Sequence, residues 1–273
     1  MAKNAFNGIN GVARKVKQPF IVVDSAAHKI KNGYTGVDGV SRQFFQSGIS
    51  ISGLAVGNSV YLNESGVSQE YLIVHHGNPD TSLYDGSCKG TWLLRKHPLD
   101  IPAANNQWDA SSDVNRYDQS DINTYLNNNY LSWLDNGIKE QIKTVKIPFV
   151  YNGANGVIYS GANGLSTKAF LLSANEAGCI LTDPARVLSG DGAALSYFNS
   201  TNNSIRITYD STGTAVEWWT RSTLIKAGVM KQIWYVKTDG TVNYRSATYQ
   251  KRIRPAFILP STALVDSNFN VIA

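Results

Sequence analysis

The stretch from Val216 to Pro260 constrains the fold of this chain more than any other part of its sequence. Three runs follow one another there: EWWTRS at residues 217–222, VKTDGTV at residues 236–242 and RIRPAFILP at residues 252–260. The Asp239-Gly240 dipeptide lies between two aromatic-rich runs and predicts a β-hairpin, because glycine accepts the positive φ of a tight turn. Pro255 has no N–H to donate, so the last run is predicted to lie at a sheet edge or to enter a sheet from Ala256 onward.

The order of these runs resembles the C-terminal half of an uncharacterised domain family of bacteria and their phages. That family has a C-type-lectin-like fold related to sulfatase-modifying factors. Two earlier runs match it as well, SDINTYLN at residues 120–127 and FLLSANEAG at residues 170–178. The resemblance spans roughly residues 56–260 and implies a C-type-lectin-like domain in this part of the chain.

Local patterns predict many short strands and few helices. Strands are predicted at residues 59–63 and 70–75, which form a hairpin around Glu64-Ser65-Gly66, and at residues 91–95, 146–150 and 168–172. Helices are predicted from Asp121 to Trp133 with Ser120 or Asp118 as the cap, from Ile138 to Thr144 as a helix or turn, and from Ala174 to Gly178. Repeated Asn-Gly dipeptides predict loops over residues 151–164. The expected fold class is α+β, with the first strands of the domain pairing with the last.

An internal repeat with a period of 14 occupies residues 6–45, and Phe6, Phe20 and Tyr34 fall in one register. Each unit predicts a short strand, a turn and a basic strand. Units this short must stack on one another, on the following domain or on neighbouring subunits, unless the segment is a solvated linker. The repeats resemble segments of minor structural proteins of bacteriophages. We therefore expect a small all-β repeat module at residues 1–48 and a C-type-lectin-like ligand-binding domain at residues 49–273.

The net charge of +5 is confined to the N-terminal segment, where residues 1–50 carry seven Lys and Arg against two Asp. Electrostatic docking is therefore expected there, on an acidic protein surface or on nucleic acid, of which nucleic acid is the less favoured partner. The first thirty residues contain no apolar run long enough for a signal-peptide core, and nowhere does the sequence contain the eighteen consecutive apolar residues of a membrane-spanning helix. The protein is expected to be made in a host cytoplasm and to leave it as part of a particle.

No cofactor, metal or catalytic group is expected. Cys88 and Cys179 lack metal-ligand spacing, so they form one bridge or, as the favoured alternative, two buried free thiols. The sulfatase-modifying factors to which the resembled family is related are oxidases that use a closely spaced cysteine pair near the C-terminus. This chain lacks such a pair. His75-His76 would point to opposite faces of a strand, which disfavours a shared metal ion with Asp80 or Asp85. Four further carboxylates are spaced as in a loop that could hold calcium but do not match the EF-hand pattern, so capping and turn roles are predicted for Asp109, Asp113, Asp118 and Asp121.

Two groups of residues are candidates for ligand contact. Trp218, Trp219, Arg221 and Arg254 belong to the recurring framework of the resembled family, which favours a core role for them. The less patterned residues between the framework runs are richer in the Tyr, Trp, Asn and Arg of recognition surfaces. The candidates are Trp234, Tyr235, Asn243, Tyr244, Arg245 and Tyr249. Alternation along a hairpin implies that about half of them face the core, Trp234 above all.

These features together predict a bacteriophage virion protein of the tail tip, a tail fibre or a capsid fibre. Residues 1–48 would attach it to other virion proteins, and the C-terminal domain would bind a host cell-surface protein or glycan. A homo-oligomer, and by analogy with phage fibres a trimer, is expected because short repeats expose strand edges. The alternatives are a purely structural decoration protein and an enzyme acting on host surface glycans.

Overall fold

The computed structural model describes side chains and backbone for most of the chain after Gly48. These residues are 48–101, 106–111, 116–151, 156–179, 190–199, 201–224 and 232–272. The backbone alone is described for residues 6–9, 12–15, 20–23, 26–29, 32–37, 40–46 and 152. Among these residues, no helix combines the length and the apolar character needed to cross a membrane.

The repeat forms three antiparallel hairpins. Their strands are β1 (Phe6–Ile9), β2 (Val12–Lys15), β3 (Phe20–Val23), β4 (Ala26–Lys29), β5 (Asn32–Val37) and β6 (Val40–Gln46). The strand pairing repeats with the sequence, because Phe6 pairs with Lys15, Phe20 with Lys29 and Tyr34 with Gln43. The strands of the predicted strand–turn–strand unit are therefore confirmed. The turns at 10–11, 24–25 and 38–39 lie outside the described residues.

The first strands after the repeat form the predicted hairpin and extend it. They are β7 (Ile49–Ser50), β8 (Ser59–Glu64), β9 (Val67–Gly77) and β10 (Gly90–Arg95). Strands β8 and β9 meet at Ser65 and Gly66, which have φ angles of 51° and 87°. Two successive positive φ values match the hairpin turn whose twist suits the flanking strands.

Two α-helices are present among the described residues, α1 (Asp121–Asn128) and α2 (Asn136–Gln141). The Ser120 side chain caps α1 by accepting the N–H of Asn123 at 3.2 Å, as predicted. The helix ends five residues before Trp133, because the run of three asparagines at 127–129 favours helix poorly. A 3-10 turn over Tyr130–Trp133 follows instead. Residues 174–178, predicted as a helix, form a turn.

The remaining strands are short and mostly paired antiparallel. They are β11 (Val145–Ile147), β12 (Phe149–Asn152), β13 (Val157–Tyr159), β14 (Leu165–Thr167), β15 (Ala169–Phe170), β16 (Thr208–Tyr209), β17 (Ala215–Val216), β18 (Trp218–Thr223), β19 (Gln232–Val236), β20 (Val242–Ser246), β21 (Ala256–Leu259) and β22 (Leu264–Val265). The loop prediction for residues 151–164 is wrong in part, because β12 pairs with β13 as a hairpin.

A five-stranded sheet in the order β15-β21-β10-β9-β8 organises the core. Every residue of β10 and β21 is buried, so both faces of these central strands are covered. Trp92 on β10 packs edge-on against Tyr84 and Phe170 at centroid distances of 5.6 and 5.5 Å. Strand β21 begins at Ala256, directly after Pro255, as the missing proline N–H predicts. It lies inside this sheet and apart from the β19–β20 hairpin that precedes it.

The predicted α+β class with a C-type-lectin-like domain is wrong as a description of this fold, which is mainly β. The described residues contain many short strands in small sheets, and α1 is the one helix of two turns or more. The sequence patterns that predicted helices reflect local capping, and the chain forms only a short helix or a turn at those positions. Pairing of the first strands with the last is confirmed, since β7 pairs with β22 and β10 with β21.

Candidate ligand-binding surface

The turn between β19 and β20 has the geometry that Asp239-Gly240 predicts. Gly240 has a φ of 76°. The Asp239 carboxylate accepts hydrogen bonds from the backbone N–H and the hydroxyl of Thr241, at 2.9 and 2.6 Å. The hydroxyl bond, with the backbone bond beside it, lowers the pKa of Asp239 to about 2. The hairpin is therefore closed by interactions within five residues of chain.

Two of the six predicted ligand-contacting residues, Trp234 and Tyr235 on β19, are buried, with 6% and 3% of their surface exposed. Tyr235 packs edge-on against Trp219 at 5.9 Å in the main core. Trp234 belongs to a second apolar cluster that includes Trp218 and Leu224. Both faces of β19 are covered because the strand lies between two apolar clusters. The expectation that one of two neighbouring residues faces solvent therefore fails here, and neither residue belongs to the candidate surface.

Three of the predicted residues are exposed together on or beside β20. Asn243 and Arg245 are two residues apart on the same face of this strand, and both are exposed. Tyr249 follows the strand and has 53% of its surface exposed. The Arg245 guanidinium carbon lies 5.7 Å from the centre of the Tyr249 ring. We call Asn243, Arg245 and Tyr249 the β20 surface.

Tyr244 faces the other side of β20 and is half-buried. Its ring meets Trp234 edge-on at 5.4 Å. Because β20 is the edge strand of its sheet, its outer backbone groups need partners. The Asn243 side chain supplies one by accepting the N–H of Tyr244 at 2.8 Å. Residues 226–231, which belong to the less patterned sequence between the framework runs, lie outside the described residues.

A buried ion pair joins two of the sequence runs. Arg221 on β18 donates from Nη2 to Glu176 Oε1 at 2.6 Å and from Nη1 to Glu176 Oε2. The remaining guanidinium hydrogens are donated to the carbonyl oxygens of Pro148, Leu171 and Asp191, at 3.0, 2.9 and 2.9 Å. Arg221 is 1% exposed and Glu176 is fully buried. The guanidinium is therefore fully bonded inside the protein.

Further polar groups complete this network. Asp191 accepts hydrogen bonds from Ser222 Oγ and, at 2.7 Å, from Asn175 Nδ2. Burial raises the pKa of Asp191 to about 6, against the opposing charge of Arg221. Tyr84 donates its hydroxyl to Glu176 Oε1 at 2.7 Å. Glu176 and Asp191 converge on one arginine, but both lie under the surface, so this pair is a structural support and does not line a cleft.

The predicted core role of the framework tryptophans and arginines is confirmed. Trp218 and Trp219 are fully buried, and Arg254 is 2% exposed. The Arg254 guanidinium carbon lies 4.9 Å from the Trp218 ring centre, and Arg254 Nε donates to the Arg95 carbonyl at 3.1 Å. Burial lowers the pKa of Arg254 to about 9. None of these groups is placed to meet a ligand from solvent.

One family model, described as "Domain of unknown function (DUF6273)", matches residues 89–261, which is more than half of the chain. The chain belongs to this family. The DUF6273 match contains both partners of the Glu176–Arg221 ion pair and all of the β20 surface. Strands β8 and β9, which complete the five-stranded sheet, precede it. No curated protein and no solved structure matches the chain.

Two of the four carboxylates predicted to have capping and turn roles, Asp109 and Asp121, have such roles. Asp109 Oδ2 accepts the N–H of Asp121 at 3.1 Å, and Asp121 Oδ2 accepts the N–H of Ala110 at 2.8 Å. Asp118 forms an ion pair with Arg116. Asp113 lies outside the described residues. These oxygens are used to hold the chain before and at the start of α1.

The two adjacent histidines bind separate partners. His75 Nδ1 lies 2.8 Å from the hydroxyl of Ser196, and His76 Nε2 lies 2.8 Å from the carbonyl of Leu54. Within the part of the chain that the structure describes, no three His, Cys, Asp or Glu side chains are grouped to hold a metal ion. The histidines therefore tie β9 to two neighbouring segments.

Both cysteines are free and buried, which confirms the favoured reading of the sequence. Burial raises the pKa of each thiol, Cys88 and Cys179, to about 12. Because the thiolate is the reactive form, we expect a disulfide reagent at pH 8 to label the native protein more than about 100-fold more slowly than the denatured protein. Two thiols per chain should react after denaturation. Rapid labelling of either thiol in the native state would contradict this placement.

Sequence reasoning missed a second exposed aromatic group. Tyr151 on β12 and Tyr159 on β13 stack face to face, and Arg116 lies against Tyr151. The spacing of Val157 and Tyr159, two residues apart, is the sequence signal that could have predicted strand β13 with both side chains on one face. The surrounding Asn-Gly dipeptides predict loops instead, and the loop prediction was preferred.

Proposed function

We propose that this protein is a bacteriophage virion component that binds a host cell-surface protein or glycan through the β20 surface. Residues 1–48 attach it to neighbouring virion proteins, and the chain acts as a homo-oligomer, in a tail tip, a tail fibre or a capsid fibre. Its role is binding and not catalysis, and it uses no cofactor.

The observation that carries the binding role is the composition and support of the β20 surface. Asn243 and Arg245 offer an amide and a cation on the exposed face of an edge strand, and Tyr249, just beyond the strand, offers a ring. Aromatic and arginine side chains dominate the energetics of recognition surfaces. Behind them, β20 is paired over its whole length with β19, whose residues from Ile233 to Val236 are buried, so the strand that carries Asn243 and Arg245 is held in place. A ligand would therefore bind without ordering the strand, which keeps the entropic cost of binding low.

The repeated hairpins support the attachment role. Each is a two-stranded sheet, and an isolated two-stranded hairpin is marginally stable in water. Three such hairpins in one register present equivalent backbone edges at regular intervals along the chain. Pairing or stacking with neighbouring subunits would cover those edges. The positive charge of this segment favours an acidic partner surface.

Cell attachment of the full chain tests the β20 surface. We expect the double variant Arg245→Ala/Tyr249→Ala to bind host cells about tenfold more weakly than the wild type, because two exposed contacts are lost. Thermal stability should change little, since neither side chain is buried. Tyr244 is left intact because its contact with Trp234 also supports the fold.

The matched control is Tyr209→Ala, which removes a tyrosine that is 46% exposed on β16. This control should attach as the wild type does. Equal attachment by the double variant and the wild type would exclude the β20 surface as the receptor site. Localisation of the chain by labelling of purified particles addresses the structural alternative: burial of the β20 surface between subunits would favour a decoration protein.

A further inference from the structure

A cavity of about 260 Å³ lies beside the segment that follows β10. Pro98 and Leu99 give it an apolar wall, and three charged side chains also line it, Asp100, Asp210 and Arg252. All three lie within the DUF6273 match and outside the β20 surface. Pockets that hold drug-sized ligands have volumes of about 300–1,000 Å³, so this cavity is suited to a smaller molecule. We call it the Arg252 cavity.

The walls of the Arg252 cavity are held in place by hydrogen bonds within the protein. Buried Arg95 donates from Nη1 to the carbonyl oxygens of His97 and Pro98, both at 2.6 Å. His97 Nδ1 lies 2.9 Å from the carbonyl oxygen of Tyr209, which ties the segment after β10 to the segment after β16. Because the walls are already ordered, a ligand would bind with little loss of conformational entropy.

Arg252 brings a guanidinium to the cavity with its donors unused. Within the part of the chain that the structure describes, its side chain makes no hydrogen bond, and its one ion contact joins Nη1 to Asp100 Oδ1 at 3.9 Å. That distance is longer than a hydrogen bond, and the Asp100 side chain is 83% exposed, so the contact is weak. A guanidinium presents parallel N–H groups that bind a carboxylate in a bidentate manner.

Asp210 brings a fixed negative charge to the same cavity. Its Oδ1 accepts hydrogen bonds from the N–H and hydroxyl of Thr212, at 3.0 and 2.7 Å, and from the N–H of Thr214 at 3.0 Å. The hydrogen bonds from Thr212 lower the pKa of Asp210, and the charge of Arg252 lowers it further. Among the described residues, none donates to Oδ2 of Asp210 and no ion pair joins it to Arg252. Two opposite charges are therefore separated within one cavity.

We propose that the Arg252 cavity binds a small aliphatic zwitterion with the chemistry of an α-amino acid. The ligand carboxylate pairs with Arg252 and its ammonium with Oδ2 of Asp210, while Asp100 adds a second negative charge on the exposed side. The aliphatic side chain packs against Pro98 and Leu99.

Charge selects a zwitterion over an ion of either sign. An anion without an amine would meet the two carboxylates, and an amine without a carboxylate would meet the guanidinium. A molecule that carries both charges has a partner for each of them. The inference adds a small-molecule site to the proposed function and does not depend on the β20 surface.

Calorimetric titration of the purified full chain tests this proposal. The titrants are aliphatic α-amino acids of both hands. The amino acid bound best is then compared with its analogue without the amine and its analogue without the carboxylate. We expect each analogue to bind at least about tenfold more weakly, because it leaves one charged group of the cavity without its partner.

Two variants each remove one charge from the cavity and spare the contacts that hold the fold. Arg252→Gln loses a guanidinium that makes no hydrogen bond to the described residues. Asp210→Asn keeps the side-chain oxygen that accepts from Thr212 and Thr214, since asparagine forms the same turn. Each should bind the amino acid at least about tenfold more weakly than the wild type. Lys237→Gln removes an exposed cation outside the cavity and should bind as the wild type does.

The proposal is overturned if no aliphatic α-amino acid binds, or if either analogue binds as tightly as the amino acid. It is also overturned if Arg252→Gln or Asp210→Asn, shown by its thermal melt to be folded, binds the amino acid as tightly as the wild type.

Discussion

Replacement of Arg221 by methionine is expected to destabilise the fold by about 3–5 kcal/mol, since one partner of a buried ion pair is lost. The change leaves the Glu176 carboxylate buried without its bidentate partner and removes the donors to Leu171, Asp191 and Pro148. For a domain of this size, that corresponds to a fall in Tm of about 10 °C or more. Denaturant unfolding of the full chain measures the free energy directly.

An exposed ion pair provides the matched control. Lys237 and Asp239 are joined at 3.2 Å with 35% and 57% of their side chains exposed. Lys237→Met removes the same kind of charge at the surface, where such pairs contribute less than about 1 kcal/mol. If Arg221→Met lowered stability no more than Lys237→Met, the network around Glu176 would not be a structural support. The double variant Arg221→Met/Glu176→Gln should recover part of the loss, because no carboxylate is then left unpaired at position 176.

Replacement of Gly240 by alanine is expected to cost more than about 2 kcal/mol. Gly240 has a φ of 76°, a region that costs a residue with a Cβ about 1–2 kcal/mol. A Cβ there would also overlap the backbone carbonyl of Asn203, which cannot move as a flexible side chain does. The Gly240 carbonyl in turn accepts a hydrogen bond from buried Arg206 at 2.9 Å. Displacement of the turn would therefore also disturb a buried side chain.

Gly213→Ala separates the two causes. Gly213 has nearly the same φ, 81°, but a Cβ there meets no atom within 4 Å. This control should lose about 1 kcal/mol, which is the cost of the backbone conformation alone. Equal losses in the two variants would show that the close approach of Asn203 to the turn contributes nothing. Equilibrium unfolding of both variants under the same conditions measures the difference.

Features governed by a few neighbouring residues could be predicted from the sequence. The Ser65-Gly66 and Asp239-Gly240 turns, the cap at Ser120 and the entry of β21 after Pro255 all depend on contacts within about five residues. The repeat hairpins belong to the same class, because their register follows the period of the sequence. Buried positions for the framework tryptophans and for Cys88 and Cys179 were also predicted correctly.

The predictions that proved wrong have a common cause, which is packing between segments that are distant in the sequence. Alternation predicted that Trp234 or Tyr235 would face solvent, but two apolar clusters cover both faces of β19. The α+β class was inferred from helix signals at Ser120 and in residues 174–178, which proved to be a short helix and a turn. No local pattern reports how much of a strand its neighbours cover, or whether a capped turn continues as a helix.

The sequence by itself determined the turns, the strand repeats and the list of side chains able to recognise a ligand. The tertiary structure alone decided which of these side chains reach solvent: Asn243, Arg245 and Tyr249, but not Trp234 or Tyr235. It also brought Glu176 to Arg221 across 45 residues of chain and placed Arg116 against Tyr151. Local structure follows from the steric and hydrogen-bonding limits of adjacent residues. Exposure and pairing between distant segments depend on how those segments pack, and that packing has no short-range signal in the sequence.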